Sequence, residues 1–200
     1  TELLADAATV GAHRLVVLSS AMVYGALANN PIPLTEDAVL RPDPTFVFAR
    51  QLASPFPLLA AIGARTKRIE IGTAVIDMRY ENPLYLAEDA GAADLISGGR
   101  LQLGISRGSP EQVVDGFRYF GHVPPEGETD ADLARRHAQV FLEVIRGEGF
   151  ARPNPTPMFP NPPGLLRIEP HSPGLRERIW WGAGNRATAE WAGGQGMNLM

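Results

Sequence analysis

Three stretches of this chain hold residues whose types and spacing suit the binding of a phosphorylated, flat cofactor. In Gly182-Ala183-Gly184-Asn185-Arg186-Ala187-Thr188 a glycine-rich turn follows a short apolar run and opens a helix. Such a turn presents unpaired backbone N–H groups at the positive end of a helix dipole, where a phosphate is well received. The Thr188 hydroxyl and the Arg186 charge are available beside it. The spacing departs from the dinucleotide fingerprint G-x-G-x-x-G only in Ala187, a replacement the fingerprint tolerates, but no strand–turn–helix of that kind opens the chain. A tight turn without a ligand is the competing reading. The second stretch, Gly72-Thr73-Ala74-Val75, puts small side chains at a strand end. A flat ring can lie there against the backbone, or a helix can simply pack on it. The third, Ser106-Arg107-Gly108, ends another strand. Arg107 reads as a salt-bridge residue or as a phosphate ligand, for which a guanidinium offers bidentate geometry.

Other chemistries lack their residues. There is no cysteine, so disulfides and thiolate-bound metals are excluded. Glu88 and Asp89 are sequence neighbours, which on a helix diverge by about 100° and form no acid–base pair. Neither an H-x-x-x-H spacing nor a Ser-His-Asp arrangement is present. His13 falls in a turn, His137 sits beside Arg135 and Arg136 on what reads as a solvated helix face, and His171 is isolated among prolines. No catalytic acid or base is assigned, and no metal is expected.

The elements that must position these residues alternate. Strands are expected near 14–19, 68–75, 100–106 and 178–182, side by side in that order. Between the second and third, Asn82 caps a helix opened by Pro83, and Ser97-Gly98-Gly99 stops it. Leu84, Ala87, Glu88, Gly91 and Leu95 are its helically spaced positions. Strand, helix and strand make a right-handed βαβ unit, and parallel folds carry ligands at the carboxyl ends of their strands. Ser54-Pro55 begins a helix over 56–65. Ser109-Pro110-Glu111 starts a short helical piece through Phe117. Thr129 and Asp130 cap the longest helix, about 131–146, with Leu133, Val140, Phe141, Val144 and Ile145 on one face. Residues 21–53 form a long loop, and prolines dominate 150–174, which reads as an ordered crossover with a short strand at Leu165-Leu166-Arg167-Ile168.

The 200 residues suit a single domain, and 44% hydrophobic content suffices for a sizeable core. A net charge of −4 without a basic run argues against a nucleic-acid partner. No apolar stretch approaches the roughly 20 residues of a membrane span. A cytoplasmic protein is expected. A helix precedes the first expected strand, and Met197-Asn198-Leu199-Met200 reads as a strand just beginning, so a barrel incomplete at both ends is expected.

Three features in this order and separation carry a family resemblance: Gly72-Thr73-Ala74 at a strand end, the Asn82-Pro83 helix start running to Ala87-Glu88-Asp89, and Ser97 to Gly108 in the pattern Ser-x-Gly-Arg-x-x-x-Gly-x-x-Arg-Gly. The chain resembles the bacterial luciferase-like flavin-dependent monooxygenases. The resemblance implies an α/β fold, a (β/α)8 TIM barrel of which residues 1–200 supply one partial domain. It implies reduced FMN at the strand ends, O2 as oxidant and a small organic substrate. The alternatives are an F420-dependent dehydrogenase of the same family and a barrel that binds flavin or a small ligand without turnover. A separate NAD(P)H:flavin reductase and a homo-oligomer are implied partners. Matched position by position, the cofactor residues are Thr73, Ala74, Val75, Ser106, Arg107, Gly108, Gly184, Asn185 and Thr188, with a non-proline cis peptide between Ala74 and Val75 supporting the ring. Ser106 replaces a cysteine that some relatives carry. The histidine that relatives often place after the second strand is missing from Ser19-Ser20-Ala21-Met22.

Overall fold

The computed structural model describes residues 54–108 and 114–200. Helix α1 (Phe56–Arg65) leads into strand β1 (Ile71–Asp77), helix α2 (Pro83–Ser97) and strand β2 (Leu101–Ser106). A 3-10 turn (Gly116–Phe120) and helix α3 (Asp130–Val144) follow. A second 3-10 turn (Leu175–Arg178) leads to strand β3 (Ile179–Trp181), helix α4 (Arg186–Gly194) and strand β4 (Asn198–Leu199). The four strands form one parallel sheet in chain order.

Of the four expected strands, the one near 14–19 lies outside the described residues, as does the loop 21–53. The other three pair side by side as expected. β1 starts later and runs further than its sequence suggests. The Arg100 guanidinium takes the Ile69 carbonyl, so ladder pairing begins with the Ile71 N–H on Arg100 O at 3.1 Å. It continues past Val75 because Ile76 and Asp77 pair with Ile105 and Ser106 after a register shift beyond Thr73. The Ala74–Val75 peptide within that shift is cis.

α2 forms for the reasons its sequence supplies. Asn82 Oδ1 accepts from Leu84 N–H at 2.9 Å, Pro83 occupies the first turn where no donor is needed, and Gly98 closes the helix at φ 69°. Its buried face keeps the expected Ala87 and Gly91 but is otherwise turned, with Leu86, Ala90, Ala93 and Asp94 pointing inward and Leu95 49% exposed. Asp94 turns the helix, since a fully buried carboxylate must be satisfied. It accepts from Leu101 N–H at 3.0 Å, from Ser172 Oγ at 2.6 Å, and from both Arg178 Nη atoms at 2.7 and 2.9 Å.

Thr129 caps α3 as expected, but its partner in the capping box is Asp132 rather than Asp130, and Leu133, Phe141, Val144 and Ile145 are buried. β2 is the centre of the core, with Leu101, Leu103 and Ile105 fully enclosed, as a parallel strand covered on both faces requires. The proline-rich stretch is a crossover, but no strand forms within it. Leu166 makes a single antiparallel bridge to Ala151, since prolines on either side leave too few donors for a ladder. The helical piece expected from Ser109 through Phe117 falls largely on residues 109–113, outside the described ones, and a 3-10 turn covers Gly116–Phe120.

Candidate cofactor site

The register brings the carboxyl ends of β1, β2 and β3 together. Asp77 pairs with Ser106, Ile105 pairs with Trp181, and Gly182 N–H still donates to Ile105 O at 2.9 Å. Small residues let the strand ends pack closely here. A Cβ on Gly182 would lie 3.2 Å from Val75 Cγ1 and 3.3 Å from Ser106 Cβ, so these neighbours would have to shift to admit any other residue. Ala74 is exposed and Val75 half-buried beside it.

Each expected site residue has a definite place. Thr73 faces the neighbouring strand: its hydroxyl donates to Gly104 O at 2.8 Å and accepts from Gly104 N–H at 3.1 Å, bridging β1 and β2 where their register shifts. Ser106 Oγ accepts from Gly108 N–H at 2.8 Å and so shapes the turn after β2. Arg107 projects from this turn, exposed and without an ion pair among the described residues. At the other turn, Asn185 Oδ1 accepts from Thr188 N–H at 2.9 Å, while Thr188 Oγ1 accepts from Asn185 N–H at 3.3 Å and donates to Asn185 O at 2.9 Å. Asn185 and Thr188 thus spend their side chains on a capping box. The N–H groups of Arg186 and Ala187 are left over, as the first turn of any helix leaves them. Gly184 is exposed with nothing within 4 Å of an added Cβ. Arg186 itself pairs with Glu190 at 2.7 Å on the surface.

Several groups at this end escaped the sequence reading. Arg79, buried behind β1, binds Asp77 through Nη2 at 2.6 Å and Nε at 3.0 Å, and Asp130 through Nη1 at 3.0 Å. The Phe117 ring centre lies 5.7 Å from its guanidinium carbon. His137 is not on a solvated face. Its Nδ1 lies 2.8 Å from Met78 O, so that nitrogen carries the proton, and its ring meets His122 edge-on at 5.1 Å. Burial pushes the His137 pKa down, partly opposed by the Met78 carbonyl and reinforced by His122 and Arg136. Burial lowers His122 as well. Glu81, in the loop after β1, is raised to about 7 by burial first, then by Asp89 and Asp77. Nothing local in the sequence marks these groups, because α3 delivers His137 and Asp130 from more than fifty positions away.

A flat anionic cofactor fits this donor set. Small and backbone groups of Ala74, Val75 and Gly182 face one strand end, Arg107 is exposed without an ion pair among the described residues, and the first turn of α4 leaves N–H groups without helix partners. Among the described residues no group of three or more His, Cys, Asp and Glu could hold a metal.

Parallel α/β folds with a cofactor site at the strand ends form a broad class. Within it, the sequence profile of the luciferase-like monooxygenases matches residues 37–200. The chain belongs to the luciferase-like monooxygenase family. It is 32% identical over 150 residues to an uncharacterized protein of Sinorhizobium fredii, covering 73% of this chain and 40% of that protein. The oxygenase component of the flavin-dependent trigonelline monooxygenase of Acinetobacter baylyi is 38% identical over 93 residues, 46% of this chain and 24% of that one. The F420-dependent glucose-6-phosphate dehydrogenase of Kribbella flavida is 26% identical over 146 residues, 72% and 41% of the two chains. Among solved structures, monooxygenase RslO1 of Streptomyces bottropensis superposes with a TM-score of 0.55 at 26% identity, over 74% of this chain and 42% of its own. The chain therefore spans 24–42% of these relatives' length, and its parallel sheet is a portion of the luciferase-like barrel.

Proposed function

We propose that this chain forms the flavin-binding part of a monooxygenase that uses reduced FMN and O2 to oxidise a small organic substrate. The observation that carries the reading is the joining of three parallel strand ends, which brings Ala74, Val75, Ser106 and Gly182 to one end of the sheet, with Arg107 exposed and without an ion pair among the described residues on the turn after β2. Bound FMN would supply the redox chemistry. The chain's own part is to hold, orient and enclose. Arg107 and the first N–H groups of α4 receive the phosphate, with Asn185 and Thr188 keeping that turn in shape and Gly184 allowing close approach. The Ala74–Val75 backbone and Ser106 line the ring side. A reductase delivering reduced flavin is part of the proposal, as is assembly with a second copy.

Likeness to the Kribbella enzyme supports a second reading, hydride transfer with F420 in place of oxygen chemistry. The mass of the cofactor released from the purified complete protein separates the two, and reductase-coupled oxygen uptake separates an enzyme from a binder. The direct test of the site is Arg107→Ala. A charge-assisted hydrogen bond is typically about 1.5–3 kcal/mol, so FMN affinity should fall roughly ten- to hundredfold. Riboflavin, which has no phosphate, should bind as before. An unchanged FMN dissociation constant in the folded variant removes Arg107 from the site.

A further inference from the structure

The turn that carries Arg107 is supported from beneath by a buried ion pair. Gly108 lies at φ 87°, and a Cβ built on it would fall 1.9 Å from Asp77 Oδ2 and 2.9 Å from Arg79 Nη2. The backbone after β2 therefore rests directly on the Asp77–Arg79 pair. Arg79 is 6% exposed, and among the described residues it is held by Asp77 at the end of β1 and by Asp130 at the start of α3. Phe117, from the 3-10 turn, covers it. One guanidinium thus joins the end of β1, the turn after β2, the 3-10 turn and α3.

We infer that Arg79 is a positioning residue for the cofactor site: by fixing the Asp77 carboxylate under Gly108, it sets the turn from which Arg107 reaches the cofactor's phosphate. The inference rests on the role proposed above for Arg107. A lysine cannot replace Arg79, because a single ammonium does not reproduce a fork that serves two carboxylates on different elements. The coupling has a definite signature. If Arg79 acts through Arg107, its removal matters only while Arg107 is present, so the two losses do not add.

The experiment uses the complete protein that carries this chain. Arg79→Met, Arg79→Lys and Asp130→Ala are made with and without Arg107→Ala. Dissociation constants for FMN and riboflavin are measured, together with the exchange rate of the Gly108 amide by NMR. Arg79→Met should weaken FMN about tenfold, leave riboflavin unchanged, and add no further loss in the Arg107→Ala background. Arg79→Lys should resemble Arg79→Met rather than wild type. The Gly108 amide should exchange severalfold faster in both. Equal FMN losses in the two backgrounds, or a Gly108 amide exchanging at the wild-type rate, overturn the inference. Should Arg79→Met fail to fold, Asp130→Ala decides: about threefold weaker FMN with faster Gly108 exchange sustains it, and wild-type values overturn it. A wild type that binds no FMN refutes the cofactor reading instead, and Gly108 exchange then judges by itself whether Arg79 holds the turn.

Discussion

Glu81 and His137 answer a change of pH with opposite sign. The Glu81 carboxyl, ordinarily near 4.5, is raised to about 7 by burial beside Asp89 and Asp77. Its folded form favours the proton, so its contribution to stability is fully present below 4.5 and is lost as pH rises through about 7. His122 and His137 lie below their ordinary 6.5, chiefly through burial, so the folded state favours them neutral. Their contribution is present above 6.5 and is lost as pH falls beneath it. Glu81→Gln should therefore raise the urea midpoint at pH 8 and leave it nearly unchanged at pH 4. A variant equally stabilised at both would show that Glu81 is not held protonated by the fold. His137→Phe removes the titration and also the bond to Met78 O. It should flatten the acid side of the stability profile while lowering stability at pH 8. Neighbouring charges add to burial in both cases, Asp89 and Asp77 at Glu81 and His122 and Arg136 at His137, so raised salt should dampen the two trends only in part.

At the level of elements, helix α4 shows how a motif can be legible while its parts do other work. Glycine, asparagine and threonine after an apolar strand identify a turn that opens a helix, and the turn forms where expected. Its polar side chains read equally well as ligands for a phosphate or as caps for the helix. The reciprocal bonds of Asn185 and Thr188 assign them to the cap. The role of Thr73 is decided at a larger scale: only the register shift, a property of two strands together, turns its hydroxyl toward Gly104. By contrast, both ends of α2 and the Thr129 cap of α3 were legible, because Asn82, Pro83, Gly98 and Thr129 act on atoms within four residues of themselves. A consequence follows for α4. Thr188→Val keeps the shape and breaks half the box, at a cost of about 1 kcal/mol in stability. If the turn holds the phosphate by its backbone, FMN should weaken severalfold and riboflavin should not. Equal weakening of the two, measured by fluorescence quenching, would remove the turn from the phosphate site.

For the whole molecule, the bond from Asp94 to Arg178 ties α2 to the start of β3 across the base of the sheet. Asp94 is fully buried, and breaking a buried pair typically costs about 3–5 kcal/mol. Asp94→Ala should fall toward the lower figure, since Arg178 is partly exposed and keeps bonds to Gly99 and Leu101 carbonyls. Denaturant unfolding measures this; a loss under about 1 kcal/mol would class the pair with surface ion pairs. No sequence pattern announces such a tie, because its partners are 84 positions apart. The same distance has a consequence in time. β1 and β2 pair at a separation of 30 residues, Ile71 with Leu101, whereas Leu103 meets Ile179 only after 76 intervening steps along the chain (179 − 103). Closing the longer loop costs more entropy and returns only three ladder positions, so the sheet should assemble unevenly. In pulse-labelled refolding, amides of Leu101 to Ile105 that face β1 should become protected before those of Ile179 to Trp181. The part of the molecule that can hold Arg107 in place would then exist before the glycine turn that completes the site.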